Sequence, residues 1–188
     1  MAHIGSSVEY GLHCLLWLVE PSVTSPSSRD LAEFQGVSPS FMAKILPKLE
    51  KAGFVAASEG IRGGYRLARS PDKITVLDIV DALEGRKPLF DCQEIRSRCA
   101  LYGGKPPARS LTGVCGIHAV MLRAEQSMRD ELARTTLADI ASGVQRKMPA
   151  GFSAEVQTWF NERAAARTEA RGTQDASERK AERQGRRR

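Results

Sequence analysis

The sequence contains no long apolar segment and none of the short motifs that mark common enzyme classes. Its longest run of large apolar residues, Leu15–Val19, is far too short to span a bilayer. Residues 1–10 carry Glu9 but no Lys or Arg, so we expect no secretory signal. No nucleotide-phosphate loop, nucleophile elbow or Cys-x-x-Cys redox pair is present. These absences predict a cytoplasmic chain that is not an enzyme, has no small-molecule substrate and does not insert into a membrane.

Cysteine is scarce, but three of the four cysteines lie close together in the sequence. The chain has 188 residues, which suits one domain or one domain with an arm, and 41% of them are apolar, enough for a modest core. Cys14 lies in an apolar segment near the start of the chain, whereas Cys92, Cys99 and Cys115 lie within 24 residues of one another near its middle. In a cytoplasmic protein, clustered thiols favour metal binding or redox chemistry over structural disulfides.

The positive charge is concentrated at the end of the chain. The net charge is +6, and residues 161–188 alone carry nine Lys or Arg and five Asp or Glu. Residues 165–188 have few apolar side chains to repay chain ordering, so we expect a disordered basic tail. Such a tail either improves solubility or adds non-specific attraction to phosphate.

Hydrophobic periodicity and turn residues predict a mainly α fold with a small β-wing. Ser28, Ser38 with Pro39, and Thr75 are expected to begin helices. The order of helix, turn, helix and glycine-rich hairpin is that of a winged helix-turn-helix, followed here by a long dimerisation helix. Helices are predicted at residues 8–20, 29–35, 39–51, 76–83, 117–134, 137–145 and 154–164, and strands at 54–58 and 65–68.

This pattern divides the chain into four parts. We expect a DNA-binding domain over residues 1–86, a cysteine loop over 87–116, dimerisation helices over 117–164 and the tail over 165–188. Residues Val120, Met121, Ala124, Met128 and Leu132 of the long helix suit dimer packing, and the helix at 137–145 could cover them.

The second helix of the pair carries the side chains expected to read DNA. A recognition helix presents short polar and basic groups to the major groove, and the wing adds groups that clamp phosphate or enter the minor groove. Pro47 is expected to kink this helix by removing a bond to Ala43. The predicted DNA contacts are Ser38, Ser40, Lys44 and Lys48 on the helix, with Arg62 and Tyr65 on the wing.

Three segments and the cysteines beyond them resemble a known family. The segments SPSFMAKILPKLEKAGFV, GIRGGYRLAR and ITVLDIVDALEG are similar to those of the iron–sulfur winged-helix regulators of the IscR and NsrR type, over about residues 4–145. The resemblance implies a homodimer that binds a double-stranded DNA operator. It also implies a 2Fe–2S cluster near the dimer interface, with the long helix crossing between subunits.

Two departures from the usual family pattern bear on the cluster ligands. Six residues separate Cys92 from Cys99, but fifteen separate Cys99 from Cys115. The first helix carries a Glu-x-x-x-His pair, Glu9 and His13, which share one helix face. This pair resembles the redox-sensing RsrR branch. That resemblance implies a cluster held by Glu9 and His13 of one subunit and by Cys92 and Cys115 of the other.

The same residues are compatible with other ligand sets and other functions. A second ligand set consists of Cys92, Cys99, Cys115 and His118, because a histidine three residues after the last cysteine matches another family pattern. The DNA reader could also use zinc or a thiol switch in place of a cluster. A third hypothesis is an iron–sulfur carrier or oxidoreductase without a DNA role. The preferred expectation is a redox-sensing transcriptional regulator.

Overall fold

Seven α-helices and one antiparallel hairpin make up the described part of the chain. The computed structural model describes residues 4–20, 24–58 and 63–185, with side chains as far as residue 173. The fold is mainly α with a two-stranded wing, as the sequence predicted. The elements are α1 (Ser6–Leu16), α2 (Ser28–Phe34), α3 (Pro39–Lys51), β1 (Val55–Ser58), β2 (Gly64–Leu67), α4 (Val76–Glu84), α5 (Gly116–Arg134), α6 (Leu137–Gln145) and α7 (Phe152–Gly185).

Local capping interactions set the starts of three helices. Thr75 begins α4 and Thr136 begins α6, each in a reciprocal capping box with the Asp three residues later. The cap of α2 is Ser27 rather than the predicted Ser28. The Ser27 hydroxyl accepts from the backbone N–H of Asp30 at 3.2 Å, and the Asp30 carboxylate accepts from the Ser27 N–H at 2.8 Å.

Helix α3 begins at Pro39 and continues without a break to Lys51, even though Pro47 lies inside it. Pro47 is exposed, while Met42, Ile45, Leu46 and Leu49 are buried on the opposite face. The lost backbone bond therefore lies on the solvent side. Core packing on the other side keeps the helix continuous through the proline.

Helix α1 packs across the pair formed by α3 and α4. Val8, Gly11, Cys14 and Leu15 form its buried face. The helix ends at Leu16, four residues before the predicted end. The next residues form turns of the 3-10 type. The Leu18 and Val19 N–H groups donate to the carbonyl oxygens of Leu15 and Leu16, three residues earlier.

Helix α5 leaves its apolar residues uncovered in the described chain. None of its residues is buried, and Ile117 and Val120 are 62% and 51% exposed. Helix α6, which the sequence suggested could cover this face, packs against α1 and the turn at residues 71–73. Arg129 attaches α5 to α4 through two hydrogen bonds to the Asp81 carboxylate, at 2.6 and 3.0 Å.

Helix α7 begins at Phe152 and extends to Gly185, which differs from the predicted disorder after Ala165. Val156, Phe160 and Ala164 are buried at four-residue spacing. Arg163 and Arg167 form ion pairs with Glu33 and Asp30 of α2. The contacts made by residues 156–167 offset the free-energy cost of starting this helix. The Ala, Arg, Glu and Gln residues that follow have a high helix propensity.

Helix α7 also runs across the predicted division between residues 164 and 165. Residues 154–164, predicted as a separate short helix, are its first part. Residues 186–188 lie outside the described part of the chain. Among the described residues, no helix is both long and apolar enough to cross a membrane.

We expect Asp81→Asn to lower the free energy of unfolding by about 1 kcal/mol at pH 7, because it weakens a charge-assisted pair that is partly exposed. The hydrogen bonds from Arg129 hold the pKa of Asp81 below its ordinary value of 3.8. The contribution is therefore present above pH 3.8 and is lost as the pH falls through the folded-state pKa.

Urea unfolding of the parent and the variant from pH 7 into the acid range measures this difference. Asp130→Asn on the exposed face of α5 is the matched control and should leave stability within about 0.5 kcal/mol of the parent. If the difference in the free energy of unfolding between the parent and Asp81→Asn stays constant into the acid range, the pair with Arg129 is not its cause.

Candidate DNA interface and metal centre

The N-terminal half of α3 presents polar side chains to solvent. Ser38, Ser40 and Lys44 are exposed, on the side opposite the buried face of the helix. Ser38 precedes α3 but makes no capping hydrogen bond with its side chain; its hydroxyl lies 2.8 Å from the Ser40 hydroxyl instead. The two hydroxyls and the Lys44 ammonium therefore share one surface that could contact DNA bases or phosphates.

Lys48, the fourth predicted contact on this helix, has a structural partner. Its ammonium donates to the backbone carbonyl of Leu83 at 2.7 Å, near the C-terminal end of α4. A cation at this position also complements the negative end of the helix dipole. Lys44 and Lys48 are both exposed, and the bond to Leu83 ties Lys48 to the joint between α3 and α4.

The base of the wing is fixed to the segment before α2. A Cβ at Gly64 would lie 2.2 Å from the Ser25 carbonyl oxygen, so only glycine fits there. The Tyr65 N–H donates to the Pro26 carbonyl at 2.8 Å. The Tyr65 ring packs partly against the core, and burial, followed by the charge of Glu50, raises its pKa. Arg62, the other predicted wing contact, lies outside the described residues.

Glu9 and His13 lie one turn apart on the exposed face of α1. The His13 ring lies against Trp17, with 6.4 Å between ring centroids and 26° between planes. Cys14 is fully buried, and burial raises its pKa to about 12, so this thiol stays neutral in the core. Within the described part of the chain, no group of three or more His, Cys, Asp or Glu is close enough to hold a metal ion.

Arg96 organises the cysteine loop. Its guanidinium donates to both oxygens of the Glu94 carboxylate, at 2.6 and 2.8 Å, and to the Gly113 carbonyl at 3.1 Å. The hydrogen bond to Glu94 is the main cause that raises the pKa of Arg96. One guanidinium thus joins the segment just after Cys92 to the segment just before Cys115.

The backbone at Glu94 is in an uncommon conformation. Glu94 has φ of +45°, which makes it the one non-glycine residue of the described chain in the left-handed region. Its carbonyl accepts from the Ser97 hydroxyl at 2.9 Å and from the Ser97 N–H. The pair with Arg96 helps to hold this conformation. Sequence reasoning missed both residues, although the Glu-x-Arg pattern between two cysteines was visible.

His118 lies beside the same loop, on the first turn of α5. Its ring centroid is 6.0 Å from that of Phe90. The pKa of Glu94 is lowered mainly by Arg96, with a smaller effect from His118. Cys99 follows the turn at residues 95–98, and all three loop thiols are free and half-buried. The two ligands that are particular to the alternative set therefore lie in the loop (Cys99) or next to it (His118).

Comparisons with known proteins identify the family. Residues 4–143 match the Rrf2 family, described as an iron-dependent transcriptional regulator. The chain is 35% identical over 141 residues to a protein of Mycobacterium tuberculosis named as an HTH-type transcriptional regulator, Rv1287; the match covers 74% of this chain and 81% of that protein.

Solved structures share the fold. CymR, the global cysteine regulator of Bacillus subtilis, superimposes with a TM-score of 0.59 and 25% identity, over 76% of this chain and 98% of that one. IscR of T. potens superimposes with a TM-score of 0.58 and 24% identity, over 80% and 94%. Rrf2 proteins are DNA-binding, typically dimeric transcriptional regulators and not enzymes. The chain therefore belongs to the Rrf2 family of winged-helix transcriptional regulators.

Proposed function

We propose that this chain is a cytoplasmic, homodimeric regulator that binds a near-palindromic DNA operator and senses redox state through a 2Fe–2S cluster. The observation that carries the proposal is the set of hydrogen bonds by which Arg96 joins Glu94, two residues after Cys92, to Gly113, two residues before Cys115. The cysteine loop over residues 87–116 serves as the sensor, and residues 1–86 serve as the DNA reader. Such a cluster also needs a dimer and a second pair of ligands.

Dimerisation is supported by the surface of α5. Its exposed apolar residues form a face that a second copy of the same helix could bury. Arg129 holds this helix to α4, the element on which α1 also packs. A dimer built on α5 would therefore have the sensor loop, which leads directly into this helix, next to its interface.

We assign the cluster ligands to two pairs, each contributed by one chain. Glu9 and His13 form an exposed pair on α1, and Cys92 and Cys115 lie in the two segments of the loop that Arg96 joins. Thiolate, imidazole and carboxylate are a suitable donor set for iron. A bound 2Fe–2S centre with such mixed ligands supplies one-electron exchange at a higher potential than one with four thiolates.

Helix α1 offers a direct mechanical connection from these ligands to the DNA reader. Tyr10, next to Glu9, makes an edge-to-face contact with Phe41 of α3, with ring centroids 5.3 Å apart. Gly11 lies so close to Leu83 of α4 that an added Cβ would be 2.4 Å from its Cδ1. A change in the position of Glu9 and His13 would shift α1 against α3. A difference of a few kcal/mol between two such arrangements moves operator occupancy strongly.

A thiol or zinc switch is the second candidate, favoured by the three free, half-buried thiols of the loop. A solved structure of similar fold is that of a regulator named for cysteine. Both versions keep the DNA reader. They differ in colour, since a zinc protein or a thiol switch does not absorb visible light.

The first test is the visible spectrum of protein purified without oxygen, before and after dithionite. We expect a red-brown protein that bleaches and recovers on re-oxidation. Cys92→Ser and Cys115→Ser should each lose at least half of the visible absorbance, because each removes a proposed ligand. Cys99→Ser is the matched control and should keep it. A colourless parent that also stays colourless after reconstitution with iron and sulfide would favour the thiol or zinc switch.

A second test concerns signal transfer. Operator selected from random DNA should bind His13→Ala with an affinity that no longer depends on redox potential, because the link from the cluster to α1 is lost. His118→Ala is the control and should respond as the parent does. The reverse pattern, with His118→Ala unresponsive and His13→Ala normal, would favour Cys92, Cys99, Cys115 and His118 as the ligand set.

A third test separates Lys44 from Lys48. Lys44→Ala should weaken operator binding and reduce the slope of log affinity against log salt concentration by about 1, as expected for one lost phosphate contact. Lys48→Ala should leave that slope unchanged and lower the free energy of unfolding by about 1 kcal/mol, because the bond to Leu83 is lost. An equal loss of salt dependence in both variants would show that Lys48 also contacts DNA.

A further inference from the structure

The segment from Cys92 to Cys115 has no apolar core of its own. None of its residues is buried, and the side chain of Leu101 is 91% exposed. Its backbone forms three short turns of the 3-10 type, which are Ile95–Arg98, Ala100–Tyr102 and Ala108–Leu111. Burial of apolar surface therefore contributes little to the shape of this segment, and its polar contacts determine how its two ends are arranged.

One side chain joins the two ends of the segment. Arg96 Nε and Nη2 donate to the two oxygens of the Glu94 carboxylate, and Nη2 also donates to the Gly113 carbonyl, 17 positions further along the chain. The other hydrogen bonds between described residues of this segment link groups no more than four positions apart, so they shape single turns. The first and last of the three turns lie next to each other. The Arg96 guanidinium is therefore the contact that closes the segment.

This closure shortens the connection between the two thiols. Twenty-two residues separate Cys92 from Cys115 along the chain, whereas the connection through the guanidinium runs over only six, residues 93–96 and 113–114. The local concentration of one end of a flexible chain at the other falls as about the −3/2 power of its length, so the shorter connection raises it about sevenfold.

We infer that Arg96 is a positioning residue, which holds the thiols of Cys92 and Cys115 near each other in the metal-free protein. The inference rests on the proposed function, in which these two thiols are cluster ligands. A loop that is already closed loses less conformational entropy when it takes up the cluster. Glu94 assists Arg96, because a planar guanidinium that is bound to both carboxylate oxygens has a fixed orientation toward Gly113.

The thiol–disulfide equilibrium of the metal-free full chain measures this closure. The substitution Cys99→Ser, present in every sample, leaves Cys92 and Cys115 as the two thiols of the loop. Glutathione disulfide is the oxidant: the two thiols form one S–S bond and pass two electrons and two protons to it, which yields two glutathione molecules. The equilibrium constant gives the effective concentration of one thiol at the other. Arg96→Ala should lower this concentration about sevenfold, and a fall of less than about threefold would overturn the inference.

Two further variants separate geometry from charge. Arg98→Ala is the matched control, because Arg98 is an exposed arginine of the same turn, and it should keep the value of the parent. Arg96→Lys retains the charge but not the planar fork, so it should lower the effective concentration at least threefold. An equal fall in Arg98→Ala, or a value for Arg96→Lys that matches the parent, would show that charge rather than position sets the equilibrium and would overturn the inference.

Unfolding by urea separates positioning from general stabilisation. The midpoint for Arg96→Ala should match that of the parent, because the segment that Arg96 closes contributes no buried residue. A lowered midpoint would overturn the positioning role. A colourless parent would count against the proposed function alone, because the thiol equilibrium is measured without metal. A coloured parent whose thiol equilibrium is unaffected by Arg96→Ala would overturn the positioning role alone.

Discussion

The close packing of α1 onto α3 and α4 is the contact on which the other features depend. Gly11 lies at its centre, where a side chain would collide with Leu83. Because the helices approach so closely, Glu9 and His13 are held at a fixed distance from the recognition helix. The same approach leaves Tyr10 against Phe41. Interlocking packing of this kind favours discrete arrangements over gradual deformation, which suits a switch.

Helix α7 adds a second support that the family match does not include. The match ends at residue 143, whereas Phe160 of α7 is buried against Phe34 of α2. Trp17 joins this aromatic cluster from the end of α1. Helices α1 and α2 are thus packed against each other through side chains that also contact the extension. On the proposed function, one aromatic cluster would therefore serve both stability and signal transfer.

The sequence predicted most of the features that depend on neighbouring residues, although it placed the cap of α2 at Ser28 rather than Ser27. Helix periodicity placed Glu9 and His13 on one exposed face, and the capping box at Thr75 was expected from its spacing. Features that depend on distant residues were missed. The disorder predicted for residues 165–188 rested on composition alone. Composition does not show that α7 packs against α2, which is distant in the sequence. The bond from Lys48 to Leu83 likewise joins residues 35 positions apart.

The claim that ligands come from two chains can be tested by mixing them. One chain carries Glu9→Ala and His13→Ala, and the other carries Cys92→Ser and Cys115→Ser; each homodimer lacks a complete site. In the mixed dimer, one site would retain all four proposed ligands and the other none. The account predicts that the purified mixed dimer regains about half of the visible absorbance of the parent. A coloured parent with a colourless mixed dimer would contradict this prediction. If all four ligands came from one chain, neither chain of the mixed dimer would carry a complete set.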